Sequence, residues 1–164
     1  MQLGKNNIKR ITLCSVLIAL AFALTVVERA IPFAFNQYGI KLGLANIVVL
    51  FAIYKTNYLD AFIVCVFKIC FFGILFGGPV YFVYSLSGGL LSFVVMLLTN
   101  KKLNIITVSV LGSLFFNIGQ ILCASIMLWT TVVFYYLPYV LILSVITGIL
   151  IGLLTDVVIK RIKI

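Results

Sequence analysis

The chain has 164 residues, 65% of them hydrophobic and 9% charged, with a mean hydropathy of +1.33. A soluble domain of this length cannot hide so much apolar surface, so the solvent is lipid and the expected unit is one all-α integral membrane domain over residues 1–164. The net charge of +9 comes from cations gathered at the ends of apolar runs, where they set topology and meet anionic headgroups; nucleic acid is not implied.

Lys5, Lys9 and Arg10 ahead of a long apolar run imitate a signal peptide. Further spans follow, so this stretch is read as a retained first span. Six spans are expected, at about 11–31, 40–54, 59–76, 80–99, 104–129 and 133–159, each judged against the roughly 20 apolar residues that a crossing needs. The second is short, which suggests a tilted or partly extended entry around Gly39 and Gly43. Gly77-Gly78-Pro79 is a turn signal between the third and fourth, and Gly88-Gly89 inside the fourth permits close backbone approach or a kink. The link between the last two, WTTVVFYYLP, is so apolar that their boundary is poorly marked.

Cation placement supports six. Lys5, Lys9, Arg10, Lys55, Lys101, Lys102, Lys160, Arg161 and Lys163 fall on one side if the count is even, with Arg29 and Lys41 on the other and Lys68 within a span. The positive-inside rule then places both termini in the cytoplasm. The four cysteines lie in apolar segments without Cys-x-x-Cys spacing, and the chain has no His. They read as buried thiols, and no metal or cofactor is expected. Ala19 with Ala23, and Ser144 with Gly148 and Gly152, form small-residue stripes suited to an internal seam or to docking another membrane subunit.

Polar residues converge at one depth. Glu28, Arg29 and Lys41 border the first loop, and Asn46 lies in the outer half of the second span. Tyr81, Tyr84 and Ser85 share one face of the fourth with Gly88. Asn117 and Gln120, three apart on the fifth, lie roughly 20 and 25 Å from its cytoplasmic start at 1.5 Å per residue. Lys68 is near the middle of the third. These ten residues, Gly88 aside, are the candidate solute-binding set. Each polar residue alone is ordinarily satisfied by an interhelical hydrogen bond; their shared depth is what suggests a cavity. A mid-membrane ammonium needs a partner or a wet pocket. Glu28 is the best partner by depth, unless Arg29 takes it and leaves Lys68 for an anionic ligand.

KLGLANIVVLFAIY (Lys41–Tyr54), YSLSGGLLS (Tyr84–Ser92) and FNIGQ (Phe116–Gln120), preceded by ERAIP (Glu28–Pro32), together resemble the Gx transporter family, also catalogued as heptaprenyl diphosphate synthase component I. That family looks like the substrate-binding S components of energy-coupling-factor (ECF) vitamin importers. The resemblance implies an S-component-like bundle of six helices in the bacterial cytoplasmic membrane, with a pocket near the outer face capped by the first loop. It implies an ECF transmembrane scaffold subunit and ATPase subunits as partners, with Ala19 and Ala23 docking the scaffold. FNIGQ departs from the pattern by carrying Phe116 where His is expected in many relatives.

Two functions follow. One is a solute-binding importer subunit for a small vitamin-like or quinone-precursor molecule, energised by others because no Walker motif is present. The alternative is a non-catalytic membrane component of a heptaprenyl diphosphate synthase. Chain elongation needs carboxylates gathered around magnesium, and the three acidic residues Glu28, Asp60 and Asp156 are far apart in sequence. An enzyme is therefore not expected. A channel or self-sufficient carrier ranks last, for want of a pore ring, an inverted repeat or a midplane proton-relay carboxylate.

Overall fold

A computed structural model describes residues 2–30, 43–73 and 78–162, without the side chains of residues 2–7, 29, 30, 72 and 81. Among the described residues there are six α-helices: α1 (Gln2–Ala30), α2 (Asn46–Lys55), α3 (Tyr58–Phe72), α4 (Gly78–Thr99), α5 (Ile105–Leu128) and α6 (Leu137–Arg161), with a 3₁₀ turn at Val132–Tyr136 before α6. No strand is found among the described residues. Among the described residues, four segments are long and apolar enough to cross a membrane: Ile8–Glu28, Gly78–Thr99, Ile105–Leu128 and Val132–Arg161. At 10 and 15 residues, α2 and α3 are only about 15 and 22 Å long, short of a hydrocarbon core of roughly 30 Å. The expected second and third spans are thus helices, but shorter than their apolar runs. The expected starts at Ile40 and ends at Phe76 and Ile31 lie outside the described residues.

Helix α2 explains the arrangement. Val48 to Ile53 are all buried, so this helix is apolar on every side because it has no solvated side. It packs against α1, α3 and α6, while α3, α4, α5 and α6 follow one another around it. Leu17 and Ala21 of α1, Val64 and Ile69 of α3, and Phe93 and Met96 of α4 complete the core.

In lipid, apolar surface alone does not drive helices together, so backbone approach decides the packing. A Cβ on Gly88 would fall 2.4 Å from the Phe116 carbonyl oxygen, and one on Gly119 would fall 2.8 Å from the Gly88 Cα. These two glycines let α4 and α5 cross in near contact. On α6, Gly148 abuts the Val110 Cα and Gly152 the Ile106 Cα, at 2.6 and 2.7 Å from a built Cβ. The stripe on the last span is therefore an internal seam. Ala19 and Ala23 are exposed on α1, while Leu17 and Ala21 face the core.

These pairings run α4 antiparallel to α5 and α5 antiparallel to α6. They gather Arg10, Lys55, Lys101, Lys102, Lys160 and Arg161 at one end of the bundle. There Arg10 Nε donates to both carboxylate oxygens of Asp60, at 2.8 and 2.7 Å. Asp60 is buried in the first turn of α3, where the helix N-terminus favours an anion. The link between α5 and α6 is a turn: Trp129 takes the left-handed conformation at φ 49° and closes α5 through its N–H to the Ser125 carbonyl. All four cysteines are free thiols, Cys65 alone fully buried.

Candidate functional site

Eighteen residues separate Arg10 from Glu28 on α1, about 27 Å of helix, so Glu28 stands near the opposite end of the bundle. Ala45, the residue before α2, has no capping side chain. Glu28 instead holds, from another helix, the turn that leads into α2. Its Oε1 accepts the Gly43 N–H at 2.6 Å and its Oε2 the Leu44 N–H at 3.1 Å. A carboxylate at this position also complements the positive end of the α2 dipole. Gly43 turns the chain into α2 with φ +76°, a conformation that side chains disfavour. A Cβ there would sit 3.0 Å from Asn46 Nδ2.

One turn further on, Asn46 opens α2 and its Oδ1 accepts a 2.6 Å hydrogen bond from Lys68 Nζ of α3. Lys68 reaches it from a half-buried position. Glu28 and Lys68 both border a cavity of about 40 Å³, with Thr25 from α1, Asn46 and Gly43 at the head of α2, Ile69 from α3, Ser85 from α4 and Phe116 from α5. At ~10–15 Å³ per water-sized probe, that space holds roughly three waters or one carboxylate-sized group. One wall is polar and carries both the Lys68 amine and the Glu28 carboxylate, and the other, Ile69 and Phe116, is apolar.

Of the candidate residues, Glu28, Asn46, Lys68 and Ser85 meet at this cavity. Tyr84 and Gln120 stand nearby without lining it: the Tyr84 carbonyl accepts the Ser87 hydroxyl, and Gln120 Cγ packs against Gly88. Asn117 turns the other way, donating to the Ser144 hydroxyl at 2.7 Å and the Ser113 carbonyl at 3.2 Å. It joins α5 to α6 as an interhelical strut. Lys41 and the side chains of Arg29 and Tyr81 lie outside the described residues.

Thr25, Gly43, Ala45, Ile69 and Phe116 line the cavity without belonging to the candidate set. Thr25 carried a usable signal, three residues before Glu28 and hence on its face. Ile69 carried none, because an apolar residue in an apolar span is unremarkable; Phe116 was marked only as a departure from the FNIGQ pattern, where His is expected in many relatives. Each acidic side chain of the protein is engaged at its own place: Glu28 on the α2 turn, Asp60 with Arg10, and Asp156 with Lys160 at 2.6 Å. Among the described residues no three His, Cys, Asp or Glu side chains form a metal-sized group.

The profile of a family described as heptaprenyl diphosphate synthase component I matches residues 17–158 of the chain. No curated protein matches it. No solved structure matches it either.

Proposed function

The chain belongs to the heptaprenyl diphosphate synthase component I family, and from that membership and its lysine-lined cavity we propose a membrane-embedded, non-catalytic binding component for a small anionic molecule. The observation that carries this is the Lys68 amine, held by Asn46 inside a bundle of apolar helices and bordering a cavity. A cation at that depth is costly, by roughly 2.5–3.5 kcal/mol on insertion scales. Lys68 supplies the counter-charge, Asn46 Nδ2 a further donor, and Ile69 and Phe116 an apolar wall.

The geometry favours the importer reading, in which this component captures a solute for other subunits to energise. The cavity runs from the level of Lys68 to Glu28 and Gly43, on the side away from the cation-rich face, which the positive-inside rule assigns to the cytoplasm. On this reading six segments traverse or enter the bacterial cytoplasmic membrane, both termini are cytoplasmic, and an ECF-type scaffold with ATPase subunits completes the complex. The solute is a small, partly apolar acid of the vitamin or quinone-precursor kind.

The family's description favours a second reading, a non-catalytic membrane component of a heptaprenyl diphosphate synthase. The dispersal of the three acidic residues agrees with a supporting role, since magnesium on a diphosphate needs several carboxylate oxygens together. Native mass spectrometry of the protein, drawn gently from its own membrane, separates the two. An ATPase pair, a scaffold and a small bound mass support the importer. A soluble aspartate-rich prenyl synthase without a small ligand supports the synthase component and overturns the importer.

A further inference from the structure

The α5–α6 turn plays no part in the cavity, yet it is the most exposed aromatic surface described. Trp129 is 94% exposed and Tyr135 85%, with Val132 and Tyr136 exposed beside them. No charged residue occurs anywhere from Leu103 to Thr155, across both helices and the turn. A turn standing in bulk water would ordinarily carry charge or Gly-rich punctuation. This one carries Trp, Phe and three Tyr within eleven residues.

Its backbone is closed on itself. The Ser125 hydroxyl donates to the Thr130 carbonyl at 3.0 Å, and the Thr130 N–H to the Ser125 carbonyl at 3.3 Å. The Val132 N–H donates to the Thr130 hydroxyl at 3.3 Å, and the Phe134 N–H to the Thr131 carbonyl at 3.0 Å. Internal satisfaction of that kind is what a non-helical segment needs where water is scarce. Exposed rings with a polar edge, Trp and Tyr above all, are stable at the boundary between headgroups and acyl chains.

Length agrees. The 24 residues of α5 extend about 36 Å, so a helix anchored at one interface by Lys101 and Lys102 reaches the other at Trp129, across a core of roughly 30 Å. We propose that the Trp129–Tyr139 turn is a lipid-interface anchor, seated at headgroup level on the cavity end of the bundle. The anchor sets the depth of the cavity. Gly119 crosses Gly88, and Gly89 packs on Ile69 beside Lys68. Trp129 follows Gly119 by ten residues, so the Lys68 level lies about 15 Å below the anchor, near the bilayer midplane. A ligand of Lys68 therefore passes the interface before it meets its counter-charge.

Trp129 is the only tryptophan of the chain, so the unaltered protein reports on itself. The full chain is reconstituted in phosphatidylcholine vesicles brominated either near the headgroup end or near the methyl end of the acyl chains. Trp129 emission is then read at an excitation that tyrosine does not absorb, with and without aqueous iodide. The expected result is a larger loss of emission with the shallow bromines than with the deep ones, and weaker iodide quenching than for free tryptophan amide. Stronger quenching by the deep bromines would mean that the turn is submerged in the core. Iodide quenching equal to the free amide, with no response to either lipid, would mean that it stands in water. Either outcome overturns the anchor.

Discussion

Lys68 of α3 and Asn46 at the head of α2 are joined by a 2.6 Å hydrogen bond from amine to amide oxygen, beside the turn that Glu28 holds from α1. Three helices thus meet through polar groups at the edge of one cavity, and the amine is aimed by a neutral partner. A neutral partner leaves the positive charge uncompensated by that bond. Lys68→Met keeps the length of the side chain and removes the charge. The small mass carried by the protein in native mass spectrometry should disappear, while the variant still inserts and purifies. Its stability should fall by about 1–3 kcal/mol, the usual cost of leaving a part-buried acceptor such as the Asn46 oxygen without its donor. Retention of the same bound mass at the same occupancy would remove Lys68 from the binding role.

Glu28 makes a separate prediction, because its carboxylate is used by backbone and not only by the cavity. Glu28→Ala deprives the Gly43 and Leu44 N–H groups of their acceptor and removes an anion from the start of α2. Charge-assisted bonds of this kind are worth about 1.5–3 kcal/mol each where partly buried. Hydrogen exchange at Gly43 and Leu44 should accelerate sharply, with little change at Val48 to Ile53 in the buried body of α2. Unaltered protection at the two amides would show that another group satisfies them.

The crossing of α4 and α5 is limited by backbone, which makes Gly88→Ala severe. The added methyl meets the Phe116 carbonyl at 2.4 Å, and no rotamer change relieves a contact with main chain. The helices must separate, at about 1–3 kcal/mol for overpacking, and Phe116 moves with α5 away from the cavity wall. Thermal unfolding in detergent should report a lower midpoint and ligand retention should fall with it. Gly78→Ala, where a Cβ meets nothing within 4 Å, should leave the crossing and the bound mass intact, despite some strain at φ +68°. Equal losses in the two variants would argue against a backbone-limited crossing.

What the residues announce depends on how unusual they are in hydrocarbon. The last three helices were legible to within a few residues from the length of their apolar runs, although the boundary between α5 and α6, inside WTTVVFYYLP, was poorly marked. Helices α2 and α3 were less so in their bounds; the partly extended entry expected around Gly43 is found, with Gly43 at φ +76° and α2 starting only at Asn46. Glu28, Asn46, Lys68 and Ser85 stood out as rare polar groups at one depth, and they do converge. Asn117 stood out equally, but periodicity fixes a residue's face on its own helix and not which neighbour that face meets; here it is α6, through Ser144. Glu28 was matched in sequence with Lys68 or Arg29 because side chains can be paired by charge. The backbone N–H groups that it accepts have no letter in the sequence.

Arg10 and Asp60 tie α1 to α3 at the end far from the cavity, and the buried partner is the acid. Arg10→Ala should destabilise the bundle by leaving a buried carboxylate uncompensated. Adding Asp60→Asn should restore part of the lost thermal midpoint, because the charge that needed Arg10 is gone. If the double variant is no more stable than Arg10→Ala alone, the pair is only a surface contact with α1 held by its apolar face.

Ala19 and Ala23 test the importer reading from the outside of the bundle. Both are exposed, whereas Leu17 and Ala21 on the other side of α1 are buried, so large residues at 19 and 23 displace no internal packing. Ala19→Trp with Ala23→Trp should therefore leave the fold and the bound small mass unchanged while blocking close approach by another helix. On the importer reading, the scaffold and its ATPase subunits are lost from the purified complex. Should the complex survive both tryptophans, this face of α1 meets lipid and the energising subunits dock elsewhere. Should a prenyl synthase copurify with both proteins alike, the importer reading fails and the α1 face has no bearing on the partner.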